Sequence, residues 1–235
     1  PMNSPRIILA GGSGFLGEAL IRRLIDGLSD LGIRVVARNE GALIILKEKF
    51  PQIEILTGDI ADEEICKQAT HDVCGIFHLA GFKHVGWAES QPQECIKTNI
   101  IGTLNLLSAT VVQKIDFIVG ISTDKAAQIS GVYGATKFLM EKLFEQYESF
   151  NPETNYRIVR YGNVMYSTGS VLCKWKKLIE TDQVVTITAP HATRFYWTVD
   201  QAVDLIYECL DKAVCSAPYV PTMKSVELGV LLDCM

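Results

Sequence analysis

The chain has 235 residues, 48% of them hydrophobic and 21% charged, and a net charge of −5. That length accommodates one large α/β core with a small appended lobe, and the composition excludes disordered and fibrous architectures. The mild acidity argues against a nucleic-acid partner, and no uninterrupted apolar run reaches the ~18–20 residues of a membrane span.

The first element is an apolar strand, Arg6-Ile7-Ile8-Leu9-Ala10, which leads straight into a glycine cluster. Leu16, Leu20, Ile21 and Leu24 then recur at helical spacing, so the opening unit reads as strand, tight turn, helix. The unit repeats. Strands are predicted at 34–37, 53–57, 75–79, 116–121 and 156–160, and helices at 42–50, 62–70, about 93–112 and 132–150. Strands alternating with helices imply parallel pairing through right-handed crossovers, which makes a doubly wound parallel sheet of the Rossmann type. Beyond residue 160 the alternation decays, with helices only near 171–179 and after Thr198-Val199-Asp200. One unit over 1–235 is expected, with a cofactor-binding core at 6–160 and mainly substrate-binding elements in a small C-terminal lobe at 161–235.

Gly11-Gly12-Ser13-Gly14-Phe15-Leu16-Gly17 places GxxGxxG directly after the first strand, where a chain that turns sharply presents backbone N–H groups to a diphosphate. Gly11, Gly14 and Gly17 suit the turn, the approach of phosphate and close helix–strand packing, with Ser13, Phe15 and Leu16 on the same loop. The competing reading is an ordinary glycine turn. At the end of the second strand stands Ala37-Arg38-Asn39, without the acid that accepts a ribose 2′-hydroxyl in NAD sites. Arg38 suits a 2′-phosphate and hence NADP, unless it is simply a solvated surface arginine. Asp59 and Ile60, after the third strand, and Ala80, after the fourth, are further cofactor candidates; Asp59 serves equally well as a turn former.

Tyr133 and Lys137 lie four apart near the start of a long helix, on one face of it. A nearby ammonium would lower the tyrosine pKa and let the phenolate take a hydroxyl proton as hydride leaves carbon. Ser122-Thr123-Asp124-Lys125 falls just past the 116–121 strand, at the expected mouth of the sheet. A simple dehydrogenase needs only Ser or Thr, Tyr and Lys. Asp124 and Lys125 are a surplus acid and base, and suggest a second reaction.

The segments His78 to Val85, Glu94 to Asn99, Ser122 to Ala126, Val132 to Lys137 and Arg160 to Val164, with Thr193-Arg194-Phe195, resemble those of UDP-N-acetylglucosamine 4,6-dehydratases in the extended short-chain dehydrogenase/reductase superfamily. The resemblance runs over nearly the whole chain from residue 6 and is nearest to the short, carbon-5-inverting members. It implies an enzyme that uses NADP on a UDP-sugar, with Thr123, Tyr133 and Lys137 in dehydrogenase roles. It further implies Lys125 as the base at carbon 5, Asp124 as the acid at the carbon-6 hydroxyl, and substrate contacts from Lys83, Asn163 and Arg194. Asn99 is as readily a structural helix residue, and His78 reads as a packed one. The resemblance also implies a homo-oligomer and a role in polysaccharide biosynthesis. Family members continue well past residue 224, whereas this chain ends at Met235 in what reads as the first turns of a helix; part of the uridine site is expected to lie beyond it.

Seven cysteines, odd in number and without CxxC pairs, argue against a disulfide framework or a metal site and fit a reducing cytoplasm. The N-terminus shows no signal pattern, and Pro1-Met2 reads as a cloning remnant. Two alternatives share the fold. A nucleotide-sugar 4-epimerase or reductase needs no Asp124–Lys125 pair, and a non-catalytic NADP-binding regulator needs neither acid nor base.

Overall fold

A computed structural model describes residues 5–27 and 30–235; Pro1 and Met2 lie outside them. Six strands, Arg6–Ala10 (β1), Gly32–Ala37 (β2), Glu54–Thr57 (β3), Gly75–His78 (β4), Phe117–Thr123 (β5) and Asn155–Tyr161 (β6), form one parallel sheet in the order β3-β2-β1-β4-β5-β6. The order reverses between β1 and β4, so a crevice opens there at the carboxyl ends of the strands. This is the expected doubly wound Rossmann sheet.

Alternate residues of each strand feed two cores. On one face Ile7, Leu9 and Val35 pack with Leu20, Ile21 and Leu24 of the helix Phe15–Gly27 (α1) and with Leu43 and Leu46 of Glu40–Lys49 (α2). On the other, Ile8, Ala10 and Val36 meet the helix Glu63–Thr70 (α3) through Cys66 and Ala69. Both faces of a parallel sheet must be covered, which is why these strands read as unbroken apolar runs.

The next helices are Val85–Ser90 (α4), Pro92–Ile96 (α5), Gly102–Gln113 (α6) and Val132–Phe150 (α7). Short α4 has no periodic apolar pattern and was not anticipated. α5 and α6 form the single long helix expected near 93–112, with a π-helical turn at Lys97–Ile101 that packs Asn99 inward. Pro92–Gln113, 22 residues with an 18-residue window of mean hydropathy 1.3, is long and apolar enough to cross a membrane by length and composition alone. Half of that window is buried in this fold, where Leu106 and Leu107 pack with Met140 and Phe144 of α7.

Among the boundaries that differ from expectation, one has a local cause and one a tertiary cause. Asn39 accepts the Ala42 N–H at 3.0 Å, so α2 begins at Glu40 and not at 42. β5 runs on through Thr123 because Ser122 and Thr123 pair with Arg160 and Tyr161. The two hydroxyl residues therefore sit on a rigid strand end and not in the loop after it.

Beyond β6 come Asn163–Val164 (β7), the helix Val171–Glu180 (α8), Thr193–Trp197 (β8), the helix Val199–Lys212 (α9), Ser225–Glu227 (β9) and the helix Leu228–Asp233 (α10). β7, β8 and β9 make a small second sheet over the carboxyl edge of the first. α9 starts in a capping box between Thr198 and Gln201, and its Ala202, Val203, Leu205 and Ile206 are buried in the core that α1 lines. Residues 161–235 thus contribute to the main core as well as to the lobe.

Candidate active site

The glycine loop is shaped by close approach. Gly11 has φ +78°, and a Cβ there would lie 2.4 Å from the Ala80 Cα; one at Gly17 would lie 2.1 Å from the Gly12 carbonyl oxygen. Gly14 faces open space beside Ser13 and Phe15, at the N-terminus of α1, where backbone N–H groups lack intrahelical partners. Leu16 instead packs against the core. These features fit a dinucleotide diphosphate, with Ala80 forming the wall of the turn.

The other cofactor candidates separate. Arg38 is exposed directly past β2. Asp59 accepts the Ala61 N–H at 2.9 Å, as a turn former does, and lies 3.5 Å from the Lys97 ammonium. Ile60 is buried under α6, and its carbonyl accepts from Asn105 at 2.9 Å, so its side chain is core.

At the end of β5 the Thr123 hydroxyl donates to Asp124 Oδ1 at 2.9 Å and accepts the Lys125 N–H at 3.3 Å. The Lys125 ammonium reaches Asp124 Oδ1 at 3.2 Å and Asn163 Oδ1 at 3.3 Å. Thr123, Asp124, Lys125 and Asn163 thus form one connected cluster. α7 lies directly against it, since a Cβ at Gly134 would be 2.5 Å from the Lys125 carbonyl oxygen. Glu89 of α4 accepts the Val132 N–H at 2.7 Å and caps α7 from outside, because Gly131 has no side chain to do so.

Tyr133, on the first turn of α7, departs from expectation. Burial pushes its phenol up to about 12; the Thr123 hydroxyl opposes that rise and the Asp124 carboxylate reinforces it. Lys137 does not contribute. Its buried ammonium donates to the Ile121 carbonyl at 2.8 Å, and burial lowers it to about 8, against the pull of Cys95 and Glu141.

Behind the cluster, Glu141 accepts from Ser122 and from both Nε and Nη2 of Arg160. Sequence reading passed over Glu141, although it stands eight residues after Tyr133 and four after Lys137 on the same helical face. Asn99 proves structural. It accepts the Phe82 N–H at 2.7 Å and donates to Thr136 at 3.0 Å, tying the segment after β4 to α7. His78 is buried, bonded to Thr103 at 2.8 Å, and lowered by burial to about 3, so it is a neutral packed residue.

The remaining substrate candidates lie toward the lobe. Lys83 is exposed, and partial desolvation lowers its pKa. Arg194 is exposed on β8, its guanidinium turned onto the Thr193 carbonyl at 2.7 Å. It is not joined to the Asp124 cluster. The strand beside it, β7, delivers Asn163 there through the pairing of Asn163 with Tyr196.

The family model for polysaccharide biosynthesis protein matches residues 7–235. An inverting UDP-N-acetylglucosamine 4,6-dehydratase of Campylobacter jejuni is 33% identical over 235 residues, spanning 97% of this chain and 70% of its own. An uncharacterized membrane protein of Methanocaldococcus jannaschii is 34% identical over 231 residues, 97% of this chain and 69% of its own. A UDP-glucose 4-epimerase of Rickettsia canadensis is 35% identical over 208 residues, 85% of this chain and 61% of its own. The crystal structure of Pen from Bacillus thuringiensis superposes with a TM-score of 0.93 at 30% identity, covering 99% of this chain and 73% of that one. With a family-model match that runs from the first strand to the last residue, the chain belongs to the polysaccharide biosynthesis protein family.

Proposed function

We propose that the chain catalyses NADP-dependent 4,6-dehydration of UDP-N-acetylglucosamine with inversion at carbon 5. The observation that carries this reading is the Asp124–Lys125 pair, 3.2 Å apart, on the strand end that also holds Thr123. Oxidation and reduction alone have no use for it.

Gly11, Ser13 and Gly14 with Arg38 would hold NADP, which would supply a reversible hydride acceptor for oxidation at carbon 4 and reduction at carbon 6. Tyr133, beside Thr123, would take the proton of the carbon-4 hydroxyl as a phenolate, the form that the positive charge of a bound nicotinamide would favour against burial; the resulting ketone acidifies the carbon-5 proton. One proton passed from Lys125 to Asp124 across their 3.2 Å contact would give a neutral amine and a carboxylic acid. Those are the two forms required. The amine removes the carbon-5 proton, the carboxylic acid protonates the carbon-6 hydroxyl, and water leaves. After reduction at carbon 6, a solvent proton added to the opposite face of carbon 5 would invert that centre, balanced by release of the carbon-4 hydroxyl proton from Tyr133 to solvent. Asn163 holds the amine in place, and Lys83 and Arg194 offer cations to the diphosphate.

Incubation with UDP-N-acetylglucosamine and NADP, followed by NMR of the product, tests the reading. A 4-keto-6-deoxy sugar inverted at carbon 5 is expected, without accumulation of NADPH. Stoichiometric NADPH with the 6-hydroxyl retained would overturn it. The identity to the Rickettsia epimerase favours a second reading, 4-epimerisation, and a 4-epimer with its 6-hydroxyl intact would establish that instead.

The cofactor is argued from Arg38. An acid at the end of β2 would repel a 2′-phosphate, and this chain presents there an exposed, permanently charged fork. Arg38→Ala is expected to weaken NADP about ten- to hundredfold with little change for NAD. Titration of the protein with each nucleotide measures this; tighter binding of NAD by the unmodified protein would contradict the assignment.

A further inference from the structure

We propose that Glu141 is a positioning residue, which through Ser122 and Arg160 holds the Asp124–Lys125 segment in register with Tyr133 and Lys137. This inference rests on the dehydratase reading above.

The geometry spans three elements. Glu141 comes from α7, Ser122 from β5 and Arg160 from β6, and Ser122 and Arg160 are direct partners in the parallel ladder. The next pair along that ladder is Thr123 with Tyr161. One carboxylate therefore grips both strands a single step below the site. It does so from the helix that carries Tyr133 and Lys137, on the same face. Glu141 Oε1 takes the Ser122 hydroxyl and Arg160 Nε, and Oε2 takes Arg160 Nη2. Side-chain exposure is 5% for Glu141 and 17% for Arg160.

Burying an ion pair at this depth brings little net stability, since desolvation offsets the attraction; apolar residues of similar volume would serve a core at least as well. A planar two-point contact fixes direction, which apolar packing does not. Direction matters here because Thr123 both donates to Asp124 and accepts from the Lys125 backbone. A shift of the strand end relative to α7 would move the acid and base together, away from Tyr133. The Glu141 charge also pulls the Lys137 pKa upward against burial, which places the carboxylate within electrostatic reach of that ammonium.

The test compares Glu141→Gln and Ser122→Ala with the unmodified protein. Glu141→Gln sets an amide N–H against the Arg160 guanidinium, and Ser122→Ala removes one hydroxyl while leaving the ion pair intact, so the second variant is expected to fold normally. In Glu141→Gln the kcat for dehydration should fall about ten- to hundredfold, as small misplacements of reacting groups do, with KM and NADP affinity changed less than about twofold. Ser122→Ala should show the same split at smaller size. Near-normal kcat in both folded variants overturns the proposal. So does a loss of kcat matched by an equal loss of NADP affinity, which marks general destabilisation.

Amide hydrogen exchange provides a readout that needs no substrate. Faster exchange confined to residues 122–126 and the first turns of α7 is expected in both variants. Unchanged exchange, or a rise across the whole sheet, contradicts it. If the unmodified protein does not turn over UDP-N-acetylglucosamine, the dehydratase reading fails by itself and the exchange result alone decides the role of Glu141.

Discussion

Lys125→Ala should stop exchange of the carbon-5 proton with solvent and slow dehydration by on the order of 10²-fold or more, the size of a lost general base. Asp124→Asn should slow dehydration comparably through loss of the acid. Neither residue belongs to the glycine loop, so NADP affinity should be unchanged in both. The expectation comes from the contact geometry. Lys125 and Asp124 touch at 3.2 Å with side chains 33% and 20% exposed, open enough to meet a sugar yet held by Asn163 and Thr123. The two variants separate two steps. Lys125→Ala should retain oxidation at carbon 4, seen as transient NADPH absorbance, but incorporate no deuterium at carbon 5 in deuterated water. Asp124→Asn should still exchange that proton, with Lys125 losing its own to solvent, while accumulating the undehydrated ketone. Near-normal dehydration by either variant would make that residue structural.

Gly134→Ala, one residue past Tyr133, is the second substitution with a large expected effect. In a helix interior alanine is favoured over glycine by about 1 kcal/mol, so intrinsic propensity predicts stabilisation. Packing opposes it. The added Cβ would sit 2.5 Å from the Lys125 carbonyl oxygen, which is backbone and cannot rotate aside. Overpacking of this kind costs about 1–3 kcal/mol and is relieved only by moving α7 off the turn that carries Asp124 and Lys125. A displacement of about 1 Å costs roughly 10² in rate, so turnover should fall far more than stability. Thermal melting together with kcat checks this. A stabilised and fully active variant would show that helix and turn are not in the close contact described.

Much of this architecture was legible in the chain itself. β1, the glycine loop and α1 follow one another within 22 residues, and their burial pattern is the apolar pattern of the sequence. The Tyr133 to Lys137 spacing and the Ser122 to Lys125 run are local, so they appear intact in a linear reading. Short α4 escaped because its six residues bury only Ala88; packing and the capping of α7 by Glu89, 43 positions away in the chain, hold it in place. The end of β5 escaped by two residues because pairing with β6 extends it, and no local signal records a partner strand.

The sequence by itself determined the order of strands and helices, the glycine turn and the set of chemically capable residues, because periodicity, backbone freedom and side-chain chemistry are properties of neighbours along the chain. Only the tertiary structure decided which of those residues meet. It joined Asn163 to Lys125, left Arg194 apart, and set Asp59 against the Ala61 N–H. It also raised the Tyr133 pKa where the YxxxK spacing implied a lowered one, because burial outweighs the neighbouring hydroxyl and the Lys137 ammonium is engaged by the Ile121 carbonyl. The reason is the same in each case: contact distance, burial and register between strands distant in sequence arise from packing, and no window along the chain contains them.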